Sequence, residues 1–456
     1  MKRRLLPILM TLVLVCALPI WAAFVTSGDV TNPLVSTAGA TLPDLQAKID
    51  AAEDNATITL DSDTTITETL VITGKTLTLD LNGYVLKMGG TGRVIHIIKS
   101  HGYDVKVEIK DGEPGKEHTG EYAALPAGGV ITGGKADKGG GILLDGGCTL
   151  KLTGGCITDC HATDTGGGVY VDNNATLKMT GGCITDCHAS YGGGGIFSYE
   201  NLYMSGTAKI EKCTSNGGSD DAIWNSGGVI YADGGTVDGM VNSQGTITCS
   251  NGTNANAATV FNKTVYLRGS NQTKRCIEAG TYNGTVENTG SITGGTFYGT
   301  VRNQKNSMGL NITGSVTGGT FYGPIVNEVG PGQVTGGTFA VRFDTDGGSE
   351  IEPTMVEYDD LVPKPAAPTK SGYTFVGWAD ANGAYDFSKR VTAPLTLTAK
   401  WEEVPSSGGN YYYHPTTDTK ADDAKGSPKT ADPGVALYAA LSLLSLTGLT
   451  CITKKR

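Results

Sequence analysis

Between residues 149 and 179, apolar side chains fall on alternate positions: Leu150 and Leu152, Val169 and Val171, Leu177 and Met179. A period of two is the pattern of a short strand with one buried face. Gly-Gly pairs and Asx clusters separate the runs and mark sharp turns. The unit repeats every 27 residues. Gly139-Gly140-Gly141-Ile142 returns as Gly166-Gly167-Gly168-Val169 and as Gly193-Gly194-Gly195-Ile196. Thr153-Gly154-Gly155-Cys156-Ile157-Thr158-Asp159-Cys160-His161-Ala162 returns from Thr180 to Ala189, and a third copy, one residue shorter, ends at Cys213. Several short strands per fixed period, with no helix inside the unit, predict a solenoid of stacked coils, a parallel β-helix. Each strand then pairs with its copy about 4.8 Å along the axis. The glycine triplets predict a column where coils approach too closely for side chains.

The pattern extends both ways. Gly235-Thr236-Val237-Asp238-Gly239, Gly280-Thr281-Tyr282-Asn283-Gly284, Gly295-Thr296-Phe297-Tyr298-Gly299 and Gly319-Thr320-Phe321-Tyr322-Gly323 are variants of one turn-strand unit, and another begins at Gly337. The last four are spaced by 15, 24 and 18 residues, which predicts the same helix continuing with coils of unequal length. Towards the N-terminus, Leu45, Ile49 and Ala52 fall at helical spacing, and strands are expected at 57–60, 65–72 and 76–81. A helix over about 42–52 would cap the first coil. A stack of 11–13 coils would be about 50–65 Å long.

Composition narrows the class. Glycine supplies 67 of 456 residues without a Gly-X-Y period, which excludes collagen. The net charge of −10, with scattered Lys and Arg, predicts no nucleic-acid partner. Lys2, Arg3 and Arg4 precede the apolar stretch Leu5–Ala23, the layout of a signal peptide over residues 1–27. At the other end, Gly434–Thr453 carries no charge and is long enough to span a bilayer, with Lys454, Lys455 and Arg456 behind it. Residues 404–426 read as a linker containing Tyr411-Tyr412-Tyr413.

Three resemblances accompany these patterns. Ser427-Pro428-Lys429-Thr430-Ala431, followed by the apolar span and basic tail, resembles a Gram-positive cell-wall sorting signal over residues 427–456, with Ser427 and Ala431 departing from the LPxTG pattern. The resemblance implies a sortase partner, cleavage between Thr430 and Ala431, and an amide bond from Thr430 to peptidoglycan. The capping helix followed by Thr76-Leu77-Thr78-Leu79-Asp80-Leu81-Asn82-Gly83 resembles the start of pectin-lyase-like right-handed β-helices, a resemblance that covers roughly residues 40–340 and implies that fold for a domain over residues 28–340. Residues 341–403, with Gly372-Tyr373-Thr374-Phe375-Val376-Gly377-Trp378 and Leu395–Trp401, resemble one Listeria–Bacteroides (internalin-type B) repeat, which implies a small β-grasp-like surface module. The expected fold is thus all-β.

The repeat stacks Cys156 on Cys183, and Cys160 on Cys187 on Cys213. A buried thiol ladder is the first reading, since free cysteine behaves as a small apolar residue. Inter-coil disulfides are the second, because the expected Cα spacing lies within range but parallel Cβ atoms lie slightly too far apart. Metal binding with His161 and His188 is the third, and no metal or other cofactor is expected. Asp159 and Asp186 also stack. They are read as turn residues facing water rather than as a glycosidase pair. Asp220-Asp221 lacks the Gly-His-Gly and Arg-x-Lys companions of pectin-degrading hydrolases, and Asp344-x-Asp346-Gly347 lacks the further ligands of a calcium loop. The sequence therefore reads first as a wall-anchored, non-enzymatic surface scaffold or adhesin binding a polysaccharide or host surface. A polysaccharide lyase or glycoside hydrolase is the alternative, and a passive spacer the third reading.

Overall fold

The computed structural model describes residues 42–100, 102, 104–216, 222–242, 246–248, 259–267, 276–304, 314–328 and 333–405. The segments expected to be a signal peptide and a sorting signal, the Tyr411–Tyr413 triplet and Asp220-Asp221 lie outside them. Among the described residues no helix is long and apolar enough to cross a membrane.

The described chain is nearly all β, and from residue 56 to 327 its strands pair in parallel. One turn of the repeat runs through Thr149–Leu152, Cys156–Thr158, His161–Thr165 and Val169–Val171 before Thr176–Met179 restarts it. The register is that of the sequence repeat: Leu150 pairs with Leu177, Ile157 with Ile184 and Val169 with Ile196. This is the arrangement of a β-helix solenoid. The face that includes Val169–Val171 continues as an eleven-stranded sheet from Leu70–Thr73 to Ile325–Asn327. His161–Thr165 belongs to a four-stranded sheet present only beside the longer coils. Leu202–Glu211 and Val229–Val237 run through a corner, so the ladders of the other two faces join in one sheet.

The glycine column is a steric requirement. A Cβ on Gly140 would lie 2.4 Å from the His161 carbonyl oxygen, and one on Gly194 would lie 2.2 Å from that of Thr214. Without side chains, the coils bond directly, as in Gly141 N–H to Gly167 C=O at 3.1 Å.

At the N-terminal end, the helix Leu42–Ala51 buries Leu45 and Ile49 on the first coil. The Gln46 side-chain amide accepts from Val71 N–H at 2.8 Å and donates to Val71 C=O at 2.9 Å, standing in for a missing neighbour strand. Lys75 Nζ donates to the carbonyls of Ile49, Asp50 and Ala52 at 3.0, 2.8 and 2.8 Å, which satisfies the end of the helix.

Towards the C-terminal end the coils shorten. Val286 pairs with Val301, only 15 residues on, so each side of this coil has five residues. The small interior is filled by a column of rings: Phe261, Tyr282, Phe297 and Phe321 stack at 4.9, 4.8 and 4.7 Å. Beside it, Asn288 Nδ2 donates to Asn303 Oδ1 at 2.8 Å, and Asn303 Nδ2 to Asn327 Oδ1 at 2.7 Å. In-register stacking lets each buried amide satisfy the next.

The solenoid and the C-terminal module share a strand. Thr338–Asp344 pairs with the last coil through Thr338 and Phe339, and with Leu395–Glu403 through Val341–Asp344. The strand thus crosses the boundary expected at 340/341. Thr354–Glu357 lies antiparallel beside it, and Tyr373–Asp380 lies antiparallel to Leu395–Glu403. With Gly383–Ala384 antiparallel to Tyr373–Asp380 the module has five strands, and its core contains Phe343, Trp378, Leu397 and Ala399. The first and last long strands of the module are parallel, and no helix occurs within 341–403.

Candidate binding face on the central coils

Successive residues of a strand point to opposite sides, so the neighbours of the buried Val169, Ile196 and Ile223 face outward. In register, these are Tyr170, Phe197 and Trp224, with Leu143 one coil earlier. The Tyr170 and Phe197 rings stack at 5.5 Å with planes 5° apart; Phe197 and Trp224 follow at 6.4 Å and 20°. Tyr199 meets Tyr170 and Phe197 edge-on at 6.2 and 5.1 Å. Tyr170 and Phe197 are thereby buried on an outward face, while Trp224 stays half-exposed.

The repeat changes where this column ends. Asp164-Thr165 in one coil becomes Tyr191-Gly192 in the next. A Cβ on Gly192 would lie 2.4 Å from the Trp224 ring, so only glycine admits the indole here. Tyr191 projects from the surface with 75% of its area exposed. Together with Thr165, Phe197 and Ser226, these residues line an open groove of about 270 Å³. At the far end of the column, Lys138 Nζ lies 3.4 Å from Tyr170 Oη and 3.9 Å from Asp164. Burial alone would lower the Lys138 pKa; the hydrogen bond to Tyr170 and the carboxylate of Asp164 reverse this and hold it above its usual value. Burial raises the Tyr170 phenol.

The stacked cysteines divide into two columns. Cys156 and Cys183 form a disulfide between adjacent coils, with Cα atoms 4.5 Å apart. For this pair the second reading replaces the first, because the coils approach more closely than the 4.8 Å assumed from regular strands. Cys160, Cys187 and Cys213 are buried free thiols. Their Sγ atoms donate to the carbonyls of Thr158, Ile157 and Ile184 at 3.3, 3.8 and 3.7 Å. Burial pushes the Cys187 thiol well above its normal pKa, and its sulfur neighbours Cys160 and Cys213 add to this. Such a thiol is a poor nucleophile.

Asp159 and Asp186 occupy equivalent left-handed turns, each with φ of 52°, and Lys212 takes the third such position at 53°. Asp186 accepts from Thr185 Oγ1 at 2.7 Å, and Asp159 lies 3.6 Å from His161 Nε2. A lysine in the same column identifies the shared requirement as turn geometry, not a pair of acids. The His161 and His188 rings lie 6.1 Å apart, and His188 Nδ1 meets Thr214 Oγ1 at 3.0 Å. Among the described residues, no three His, Cys, Asp or Glu side chains are grouped to hold a metal. In the C-terminal module, Lys370 Nζ lies 3.6 Å from the Asp346 carboxylate, and Asp344 accepts from Asp346 N–H at 3.0 Å.

The aromatic face escaped the sequence reading, although it has a signal. The residue after each of Ile142, Val169, Ile196 and Ile223 runs Leu, Tyr, Phe, Trp.

Residues 339–400 match the Listeria-Bacteroides repeat domain, so the chain carries one such repeat. A 68-residue stretch is 37% identical to an Evansella cellulosilytica protein described as a membrane protein, covering 14% of this chain and 10% of that one. A second protein of that organism, described as a Gly-rich membrane protein, is 35% identical over 68 residues, or 14% and 8%. Internalin H of Listeria monocytogenes serovar 1/2a is 33% identical over 100 residues, or 21% of this chain and 17% of the internalin. The chain thus spans less than a fifth of the length of these relatives. No solved structure matches it.

Proposed function

We propose that this protein is a non-enzymatic binding scaffold displayed on the surface of a Gram-positive cell. The carrying observation is the groove where the exposed Tyr191 and the half-exposed Trp224 end the outward ring column, set on coils bonded backbone to backbone. A stiff stack that holds exposed aromatic surface in a fixed place suits contact with a surface polymer. The Listeria-Bacteroides repeat and the likeness to an internalin and to described membrane proteins support an envelope location. Residues 1–27 would direct export. Sortase cleavage after Thr430 would then join the chain to peptidoglycan. The winding is taken as right-handed, the hand of nearly all parallel crossovers.

The acids that stack, Asp159 and Asp186, sit where the turn demands a left-handed residue, which favours a scaffold over a lyase or hydrolase. The test incubates the secreted chain with neutral and acidic polysaccharides, with and without calcium. Bound protein, new reducing ends and unsaturated products are measured together. Binding without products is expected; product formation overturns the reading. Anchoring is tested by mass spectrometry of wall digests, where the protein should end at Thr430 linked to a peptidoglycan fragment.

A further inference from the structure

The groove beside Trp224 is small, and its chemistry is specific. Its 270 Å³ lies just below the usual range of small-molecule pockets, a size that suits one small ligand unit. Phe197, Trp224 and the protruding Tyr191 supply aromatic surface, while the hydroxyls of Thr165 and Ser226 supply hydrogen bonds at its margin. Binding sites for small ligands combine apolar walls with a few polar groups in this way. None of the lining side chains is an acid or a base. The nearby Lys138 is already occupied by Tyr170 and Asp164. A net charge of −10 disfavours a polyanion.

We propose that the groove formed by Tyr191, Gly192, Phe197 and Trp224 is a subsite for one neutral pyranose unit of a surface polysaccharide, an inference that rests on the scaffold reading above. The C–H face of the sugar would lie against the electron-rich face of an aromatic ring, and its hydroxyls would reach Thr165 and Ser226. Two departures from the 27-residue repeat create the site. Tyr191 replaces the Asp of the preceding coil and provides a wall. Gly192 replaces Thr and admits the indole.

The test titrates the full secreted chain with gluco-, manno- and galacto-tetraose, and with tetragalacturonate as the acidic control. Binding is followed by calorimetry and by tryptophan fluorescence. One or more neutral tetraoses should bind more tightly than the acid, with a fluorescence change that Trp224→Phe diminishes. Tyr191→Ala should weaken binding roughly 3- to 10-fold without moving the melting temperature, since the side chain is largely exposed. Neutral binding that both variants leave unchanged overturns the groove while the scaffold reading survives. Equal or tighter binding of the acid overturns the neutral class. If no tetraose binds but the chain still adheres to cells, the subsite fails and the scaffold reading stands. If it binds neither, both fail.

Discussion

The rings of Phe321 and Phe339 pack 5.6 Å apart, the first on the turn-strand unit that starts at Gly319 and the second on the strand that enters the C-terminal repeat. Both are fully buried. Tyr358 of the repeat then meets Phe339 edge-on at 6.4 Å, and its N–H donates to Gly337 C=O at 2.8 Å. The repeat therefore closes the end of the aromatic column that an open last coil would expose to water. Phe339→Ala should cost about 3–5 kcal/mol and destabilise solenoid and repeat together. Calorimetry is expected to show one transition, shifted down. Two transitions, with only the repeat affected, would show that the modules are energetically separate.

Asn303 bonds to an asparagine on either side and is completely buried. Asn303→Ala removes the acceptor of Asn288 Nδ2, although that amide retains a longer contact to Ser315 C=O at 3.2 Å. The expected loss is about 1–3 kcal/mol, the range for leaving buried polar groups without full satisfaction. Urea unfolding measures it. A loss below roughly 0.5 kcal/mol, within the ordinary surface range, would mean that the ladder adds little to stability.

How much of this was visible in the sequence depends on what repeats. Residues 142, 169 and 196 pair as their spacing says, because a parallel coil has a register set by its period. The helix ends at Ala51, one residue short of its expected limit. The shared strand at 338–344 was not legible, since alternation does not change where a strand passes from one module to the next. Nor was the choice between disulfide and thiol, which turns on a few tenths of an ångström at Cys156. The aromatic groove was hidden for another reason. It arises at Tyr191, Gly192 and Trp224, where the repeat departs from itself, and a search for recurrence passes over departures.

The two cysteine columns should behave differently. Under native conditions an alkylating reagent should leave Cys160, Cys187 and Cys213 unmodified, and denaturation should expose all three. Mass spectrometry after labelling counts them. Joint replacement of Cys156 and Cys183 by Ser should lower stability by about 2–4 kcal/mol, as for a bridge closing a loop of this size. Native-state labelling of Cys187 would contradict its burial.

The thiols also set a dependence on pH. Burial, with Asp145 adding to it, pushes Cys148 up to about 11, and burial raises Cys187 well above the ordinary value of 9.0. Above about pH 9 the unfolded chain releases these protons while the folded chain keeps them. The unfolded state then binds fewer protons, so stability is full below this pH and falls as pH rises towards 11. The melting temperature should decline from pH 9 to 11, and Cys148→Ala should make that decline shallower. An identical slope in the variant would remove Cys148 as a contributor.

Gly167 tests whether the glycine column is obligatory. A Cβ there would lie 2.4 Å from the carbonyl oxygens of both Gly194 and His188, backbone atoms of which the first is fixed by a coil-to-coil hydrogen bond from Gly168 N–H. Gly115 sits in a loop with nothing within 4 Å of its virtual Cβ. Alanine at either position reduces the freedom of the unfolded chain to a similar degree, so that contribution largely cancels in the comparison. Gly115→Ala should change stability by less than about 1 kcal/mol. Gly167→Ala must separate two coils, and its cost should exceed roughly 4 kcal/mol, beyond the usual range of single substitutions. Parallel denaturant titrations decide it. Equal stabilities for the two variants would mean that the coils can part at little cost, and the steric account of the glycine triplets would fail.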